Sequence, residues 1–95
     1  MADRYQIETT GDFDKKFEKL CKRNKALQEL IIQRISLLRN SPFEQSLNTH
    51  KVNTKKLGQT YSTRVNGDLR ILWKMKETKF IILCLTIGGH DQVYN

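Results

Sequence analysis

The sequence predicts an α+β domain: an antiparallel sheet of about four strands with an N-terminal αα-hairpin packed on one face. Three observations predict it. After one short alternating stretch, residues 13–38 repeat their apolar side chains at helical spacing. From Tyr61 onward the pattern changes to three strand-like runs separated by turn residues. The 95 residues contain no internal repeat, linker or low-complexity tract, which suits one domain over residues 1–95.

Each element follows from its own residues. In residues 4–8, "RYQIE", Tyr5 and Ile7 alternate with polar neighbours and predict a short strand. "TTGD" breaks it and offers Thr10 or Asp12 as a helix cap. Phe13, Phe17, Leu20 and Cys21 then mark one helical face, and "RNK" interrupts that helix with Asn24 placed to cap the next. Leu27, Leu30, Ile31, Ile35 and Leu38 continue the period until Pro42, which disfavours helix at the residue before it. Residues 43–56 show no clean period and read as a loop with a possible short strand. "TYSTRV", "LRILWKM" and "KFIILCLTI" are strands joined by "NGD" and "KET", and residues 80–87 are apolar on both faces, as a central strand would be.

The middle hairpin carries more information. A two-residue Asn66-Gly67 turn would pair Arg64 with Leu69 and push an arginine onto the apolar face. An odd loop, with Gly67 in the left-handed conformation of a bulged three-residue turn, removes that conflict. Arg64, Asp68 and Arg70 then share one face, opposite Trp73. The apolar face would bury against the helices, leaving the charged face as the working one.

Composition narrows the function. Hydrophobic residues make up 38% of the chain, and no stretch approaches the roughly 20 apolar residues of a membrane span. The N-terminus is charged at once, with no apolar leader core, so a cytoplasmic protein is expected. Net charge is +7 and is uneven: residues 1–47 carry +2 and residues 48–95 carry +5. Such a balance points to a polyanion or an acidic protein partner, with the C-terminal half the more suitable seat for it. Cys21 and Cys84 lie on apolar positions 63 residues apart and read as reduced core residues rather than a disulfide or metal ligands. A metal site and a small-molecule cofactor are not expected. No glycine-rich phosphate loop, GxSxG or HExxH motif is present, and no carboxylate pair lies in a patterned segment.

What remains is a cationic and imidazole chemistry. Arg64 and Arg70 on one face, near Lys51, Lys55 and Lys56 and in line with Lys74, suit phosphate recognition through planar bidentate donors. The ordinary alternative is an exposed Arg64–Asp68 pair. His90 follows two glycines at a strand exit, where the backbone is free to turn and bring an imidazole over the sheet edge. A lone histidine is usually a bystander, and His50, in an unpatterned loop, is weaker still. Tyr94 is either an anchor for the chain end or a stacking platform for a base.

The order of a strand, a helical hairpin, and then "HKV…KKLG…YSTRVNGDLRILWK…FIILCLTIGGHDQVY" resembles the RelE/ParE superfamily of small bacterial toxins, over essentially the whole chain. The resemblance is most informative at "RVNGDLRILW" and "IGGHDQVY". Within the superfamily the chain looks like the ribonuclease branches, especially YafQ-like members that end in a Gly-x-His-x-x-x-aromatic motif, here running from Gly88 through His90 to Tyr94. The family's carboxylate after the turn falls on Asp68, its arginine on Arg70 and its upstream histidine on His50. Where YafQ-like members carry a histidine before the turn this chain has Arg64, a departure from the pattern.

The resemblance implies a RelE-like microbial ribonuclease fold and the toxin of a toxin–antitoxin pair. It implies an enzyme that cuts mRNA without a metal, typically in the ribosomal A site, and is silenced by a cognate acidic antitoxin. In that chemistry the RNA 2′-hydroxyl attacks the adjacent phosphate, a base removes its proton, and an acid protonates the leaving 5′-oxygen. His90 is the candidate acid or base, with Asp68 or His50 as counterpart. Arg70, and Arg64 with it, would stabilise phosphoryl charge; Tyr94 would orient a base; Lys51, Lys55, Lys56 and Lys74 would hold the RNA backbone. Two readings compete with this one. The first is a ParE-like toxin that binds DNA gyrase and cuts nothing, and the second is a basic nucleic-acid-binding module without toxicity.

Overall fold

Thr10 starts the first helix by accepting a hydrogen bond from Phe13 N at 3.1 Å, satisfying one of the amides a helix start leaves open. A computed structural model of the chain describes residues 4–76 and 80–94. Strand β1 (Gln6–Thr9) leads into helix α1 (Gly11–Cys21), and Asn24 caps helix α2 (Lys25–Asn40) by accepting from Leu27 N at 3.0 Å. A 3₁₀ turn (Gln45–Leu47) then leads to strands β2 (His50–Thr54), β3 (Gly58–Arg64), β4 (Leu69–Met75) and β5 (Ile81–Gly89), and the chain closes on a helical turn, α3 (His90–Tyr94). The expected helical hairpin and its caps are as read. The expected "KET" turn includes Glu77 and Thr78, which lie outside the described residues.

The sheet has five strands in the order β1-β5-β4-β3-β2, and two features correct the expectation. It is mixed, because β1 pairs parallel with β5 while β2 to β5 form an antiparallel meander. A parallel neighbour needs a long crossover, and everything between β1 and β5 supplies it. The extra strand is β2, inside the stretch read as a loop with a possible short strand. Its sequence, HKVNT, has one apolar residue because an edge strand with both faces near solvent needs no alternation.

Helices α1 and α2 cover one face. Phe13, Ile31 and Leu38 meet Val65, Leu69, Ile71, Trp73, Ile82, Cys84 and Ile87 there, all nearly inaccessible to solvent. Trp73 is buried at 0% exposure, and its indole N–H donates to Thr63 Oγ1 at 2.8 Å. Thr63 passes the bond on to Thr49, and Thr49 donates to the Pro42 carbonyl at 2.7 Å, so the hydroxyls run in one direction and leave no donor stranded. The apolar run of β5 is explained by a bulge. Its register against β4 slips between Leu72 and Trp73, so Ile82 and Cys84 face the core, Leu85 is the extra residue, and Ile87 returns to the core.

Candidate active site

The turn between β3 and β4 places the first charged groups. Arg64 pairs with Arg70, and Val65 N donates to Leu69 O at 2.9 Å, so the loop is the three residues Asn66, Gly67 and Asp68. The odd loop is therefore as expected, but its device is different. Gly67 has no positive φ; the Asn66 side chain instead accepts from Asp68 N at 2.9 Å and Leu69 N at 2.8 Å. An Asx turn shapes the loop, and glycine's left-handed freedom is spent at Gly58 in the β2–β3 turn, where φ is 72°.

This register puts Ser62, Arg64, Arg70 and Leu72 on the face away from α1 and α2. The two guanidinium groups converge on one acceptor: Arg64 Nε donates to Asn66 O at 3.1 Å and Arg70 Nη1 to the same oxygen at 2.9 Å. Among the described residues, neither arginine forms an ion pair with a carboxylate, so the ordinary Arg64–Asp68 pairing is absent. Two cations held side by side by a neutral carbonyl keep most of their donors for an anion.

The chain end is brought onto the same face. His90 N donates to Asp68 O at 3.1 Å, which starts α3 directly beside the β3–β4 turn. The Tyr94 hydroxyl is hydrogen-bonded to Ser62 Oγ, tying the other end of α3 down to β3. The two glycines before His90 serve close approach. A Cβ on Gly88 would stand 2.9 Å from Gln92 Oε1 and 3.3 Å from Val93 Cγ1, and one on Gly89 would stand 3.3 Å from both Asp68 carboxylate oxygens. Neither glycine has a positive φ, and both lie in close contact with these side chains. Val93 is buried at 5% exposure and anchors the turn.

His90 itself remains accessible, with its side chain 60% exposed. Its ring meets Tyr94 edge-on at 4.4 Å, and Nδ1 lies 3.5 Å from Asp91 Oδ1. His50 is the cross-strand partner of Ser62, so it shares the open face beside the point where Tyr94 is anchored, and its Nδ1 lies 3.1 Å from Asn48 O. The open face thus gathers His50, Arg64, Asp68, Arg70, His90 and Tyr94.

The lysines divide. Lys74 alternates in phase with Arg70 and Leu72 and shares the open face. Lys51 pairs with Tyr61, whose ring stacks on Trp73 at 4.7 Å, so its side chain leaves from the helix-side face and does not join the arginines. Lys55 and Lys56 lie exposed at the tip of the β2–β3 hairpin. Arg34 was not read from the sequence as a site residue. Its Nε donates to Val65 O at 3.2 Å, and it lines, with Arg64 and Asn66, a cleft of about 450 Å³. The signal was present: an arginine three residues after Ile31, on the stripe that otherwise faces the core.

No protein-family model matches the sequence, and no curated protein matches it. Solved structures do. A chain of the E. coli DinJ-YafQ toxin-antitoxin complex superposes with a TM-score of 0.73 at 17% identity, covering 97% of this chain and 99% of that one. The archaeal RelE-RelB complex from Pyrococcus horikoshii OT3 gives 0.71 at 17% identity, covering 90% and 94%. The YoeB/ParE toxin from Agrobacterium tumefaciens gives 0.75 at 13% identity, covering 90% and 98%. The chain has the fold these proteins share.

Proposed function

We propose that the chain is the toxin of a type II toxin–antitoxin pair, a metal-independent endoribonuclease that cuts mRNA, on the ribosome, and so stops translation. The observation that carries the reading is the pair of carboxylate-free arginines beside His90 on a face the helices leave open. The fold likeness to proteins of the DinJ-YafQ and RelE-RelB complexes supports it.

The arrangement suits intramolecular transesterification. A scissile phosphate held by Arg70 and Arg64 would have its equatorial oxygens neutralised where charge accumulates. The 2′-oxygen bonds to phosphorus as the 5′-oxygen departs, giving a 2′,3′-cyclic phosphate and a free 5′-hydroxyl. One group takes the 2′-proton and another delivers a proton to the leaving oxygen. His90 serves in one of these roles. Asp68, whose carboxylate lies against Gly89, is its near counterpart, and His50, across Ser62, its far one. Tyr94 orients a base against the His90 ring, and Lys55, Lys56 and Lys74 hold flanking phosphates. Every proton and charge in this scheme is handled by a side chain.

The partner follows from charge. A chain of net +7 with an open cationic face suits an acidic antitoxin segment laid across it. Incubating the chain with translating ribosomes and end-labelled mRNA tests the function: discrete cuts bearing 2′,3′-cyclic ends are expected. Intact mRNA together with inhibited DNA supercoiling would replace this reading with the ParE-like one, since the fold is common to both.

A further inference from the structure

The Leu85 bulge has a consequence on the far flank of α3. It turns Leu85 out of the core, where it lines a cleft of about 350 Å³ with Leu57 of the β2–β3 turn and Val93. Thr10 clamps the bulge by donating to Leu85 O at 2.7 Å. Bulges beside functional sites commonly re-aim a side chain in this way. The rest of the lining is polar and charged. Asp12 and Lys16 reach in from the first turns of α1, Thr86 rises from the sheet, Gln92 comes from α3, and Lys56 stands at the rim.

The charges are arranged. Lys16 Nζ lies 3.1 Å from Asp12 Oδ2 and donates to Thr86 Oγ1 at 3.1 Å. The Thr86 hydroxyl first, and the Lys16 and Lys56 ammonium groups after it, hold the Asp12 carboxyl below the usual carboxylate range. An ionised carboxylate has about four acceptor sites, so Thr86 and Lys16 leave acceptor capacity unused. Gln92 Oε1 accepts from Gly89 N at 3.3 Å, which leaves the amide N–H groups as donors.

We infer that this cleft is a nucleobase subsite, reading a base next to the cleavage point by an exocyclic amino group donated to Asp12. The inference rests on the ribonuclease reading, and it adds a specificity element to it. Three aliphatic side chains supply walls for a planar ring, and the polar groups supply an edge to read. An apolar side chain from a protein partner would fit the walls but would desolvate Asp12, Thr86 and Gln92 without replacing their bonds. Lys56 at the rim is placed for the base's own phosphate. Adenine, guanine and cytosine carry the amino donor, whereas uracil offers only its N3–H, set between two carbonyl oxygens that an ionised carboxylate repels.

Titrating the free protein with each nucleoside 5′-monophosphate, observed by methyl NMR at Leu57, Leu85 and Val93, tests this without needing cleavage. The amino-bearing nucleotides should shift these methyls and bind about tenfold tighter than uridine monophosphate, the scale of one good edge contact. Asp12→Asn presents a donor as well as an acceptor, so it should shrink that ratio to about two or less. In the cleavage assay the same variant should admit uracil at one position of the cut-site pattern. A chain that binds the amino-bearing nucleotides here yet cuts no RNA would overturn the nuclease reading and leave the subsite standing. A chain that cuts RNA while these methyls ignore all four nucleotides, or respond only to an acidic partner, would overturn the subsite.

Discussion

The two faces of one sheet are built to opposite rules. On the helix side Ile71, Trp73, Cys84 and Ile87 are buried, and the one indole donor is satisfied through Thr63 and Thr49. On the open side Arg64 and Arg70 share a single carbonyl, His90 is accessible, and Asp68 leans on a glycine backbone. Residues one apart in β4 belong to different problems, since Ile71 secures the fold while Arg70 keeps donors unspent. A face optimised for stability would pair its cations. This one holds them apart from carboxylates and covers a buried floor, Leu72 and Ser62, with the chain end. The separation predicts that mutations on one face change chemistry and those on the other change stability.

His90→Gln should give the largest effect. Glutamine keeps the size and some hydrogen bonding but cannot move a proton near neutral pH, so mRNA cleavage should fall by about 10²–10⁴-fold, the usual contribution of a positioned acid or base. The unfolding free energy should stay within about 0.5 kcal/mol of the parent's, as for an exposed position. The pH–rate profile should lose one limb. Equal cleavage by parent and variant would move the acid–base roles to Asp68 and His50.

Leu38→Ala is the opposite case. Leu38 is fully buried against the helix-side face, and its truncation should destabilise the fold by about 2–5 kcal/mol with no change in cleavage per folded molecule. Cys84 reports the same event. Burial pushes its thiol up to about 12, so it should resist alkylation at pH 8 until the core opens, and it should label faster in the Leu38 variant. A variant of unchanged stability and lost activity would break the division between faces.

Those two faces were unequally legible. The helix-side face follows from periodicity: Phe13, Ile31, Leu38 and Ile71 sit where the apolar pattern puts them, because burial writes a period into a sequence. The open face has no such signature. Arg64, Asp68 and Arg70 were placed together only because a wrong register would have buried an arginine, and even then the turn uses Asn66 rather than a left-handed Gly67. His50 lay in an edge strand without alternation, and its neighbour Lys51 leaves from the other face, a difference of one residue that the pleat alone decides. Gly88 and Gly89 suggested a sharp turn, and the chain does pass there from β5 straight into α3; their close contacts with Gln92, Val93 and Asp68 were not legible. The Leu85 bulge, and with it the cleft by α3, is invisible in a run that is apolar on both faces.

Tyr94 joins the two problems and can be divided. Tyr94→Phe removes only the hydrogen bond to Ser62, while Tyr94→Ala also removes the ring that His90 meets. If the ring stacks on a base, the alanine variant should lose about 1–3 kcal/mol of RNA affinity. The phenylalanine variant should lose less, about 1 kcal/mol, through a looser α3. Equal losses would make Tyr94 an anchor and remove it from substrate contact.

The smallest effect is expected at the hairpin tip. Lys55 and Lys56 are exposed and lie outside the cluster of His90, Arg64 and Arg70, so on the proposed function they would meet RNA through charge alone. Each lysine that neutralises a phosphate releases counterion, and the slope of log affinity against log salt for single strands is about 0.7 per contact. Lys55→Ala with Lys56→Ala should therefore flatten the salt slope by about 1.4 and weaken binding at low salt, with little change near the salt where the parent's affinity has already fallen. Single-turnover cleavage at saturating protein should hold. A collapse of that rate with the salt slope intact would mean that the hairpin tip reaches the phosphate being cut.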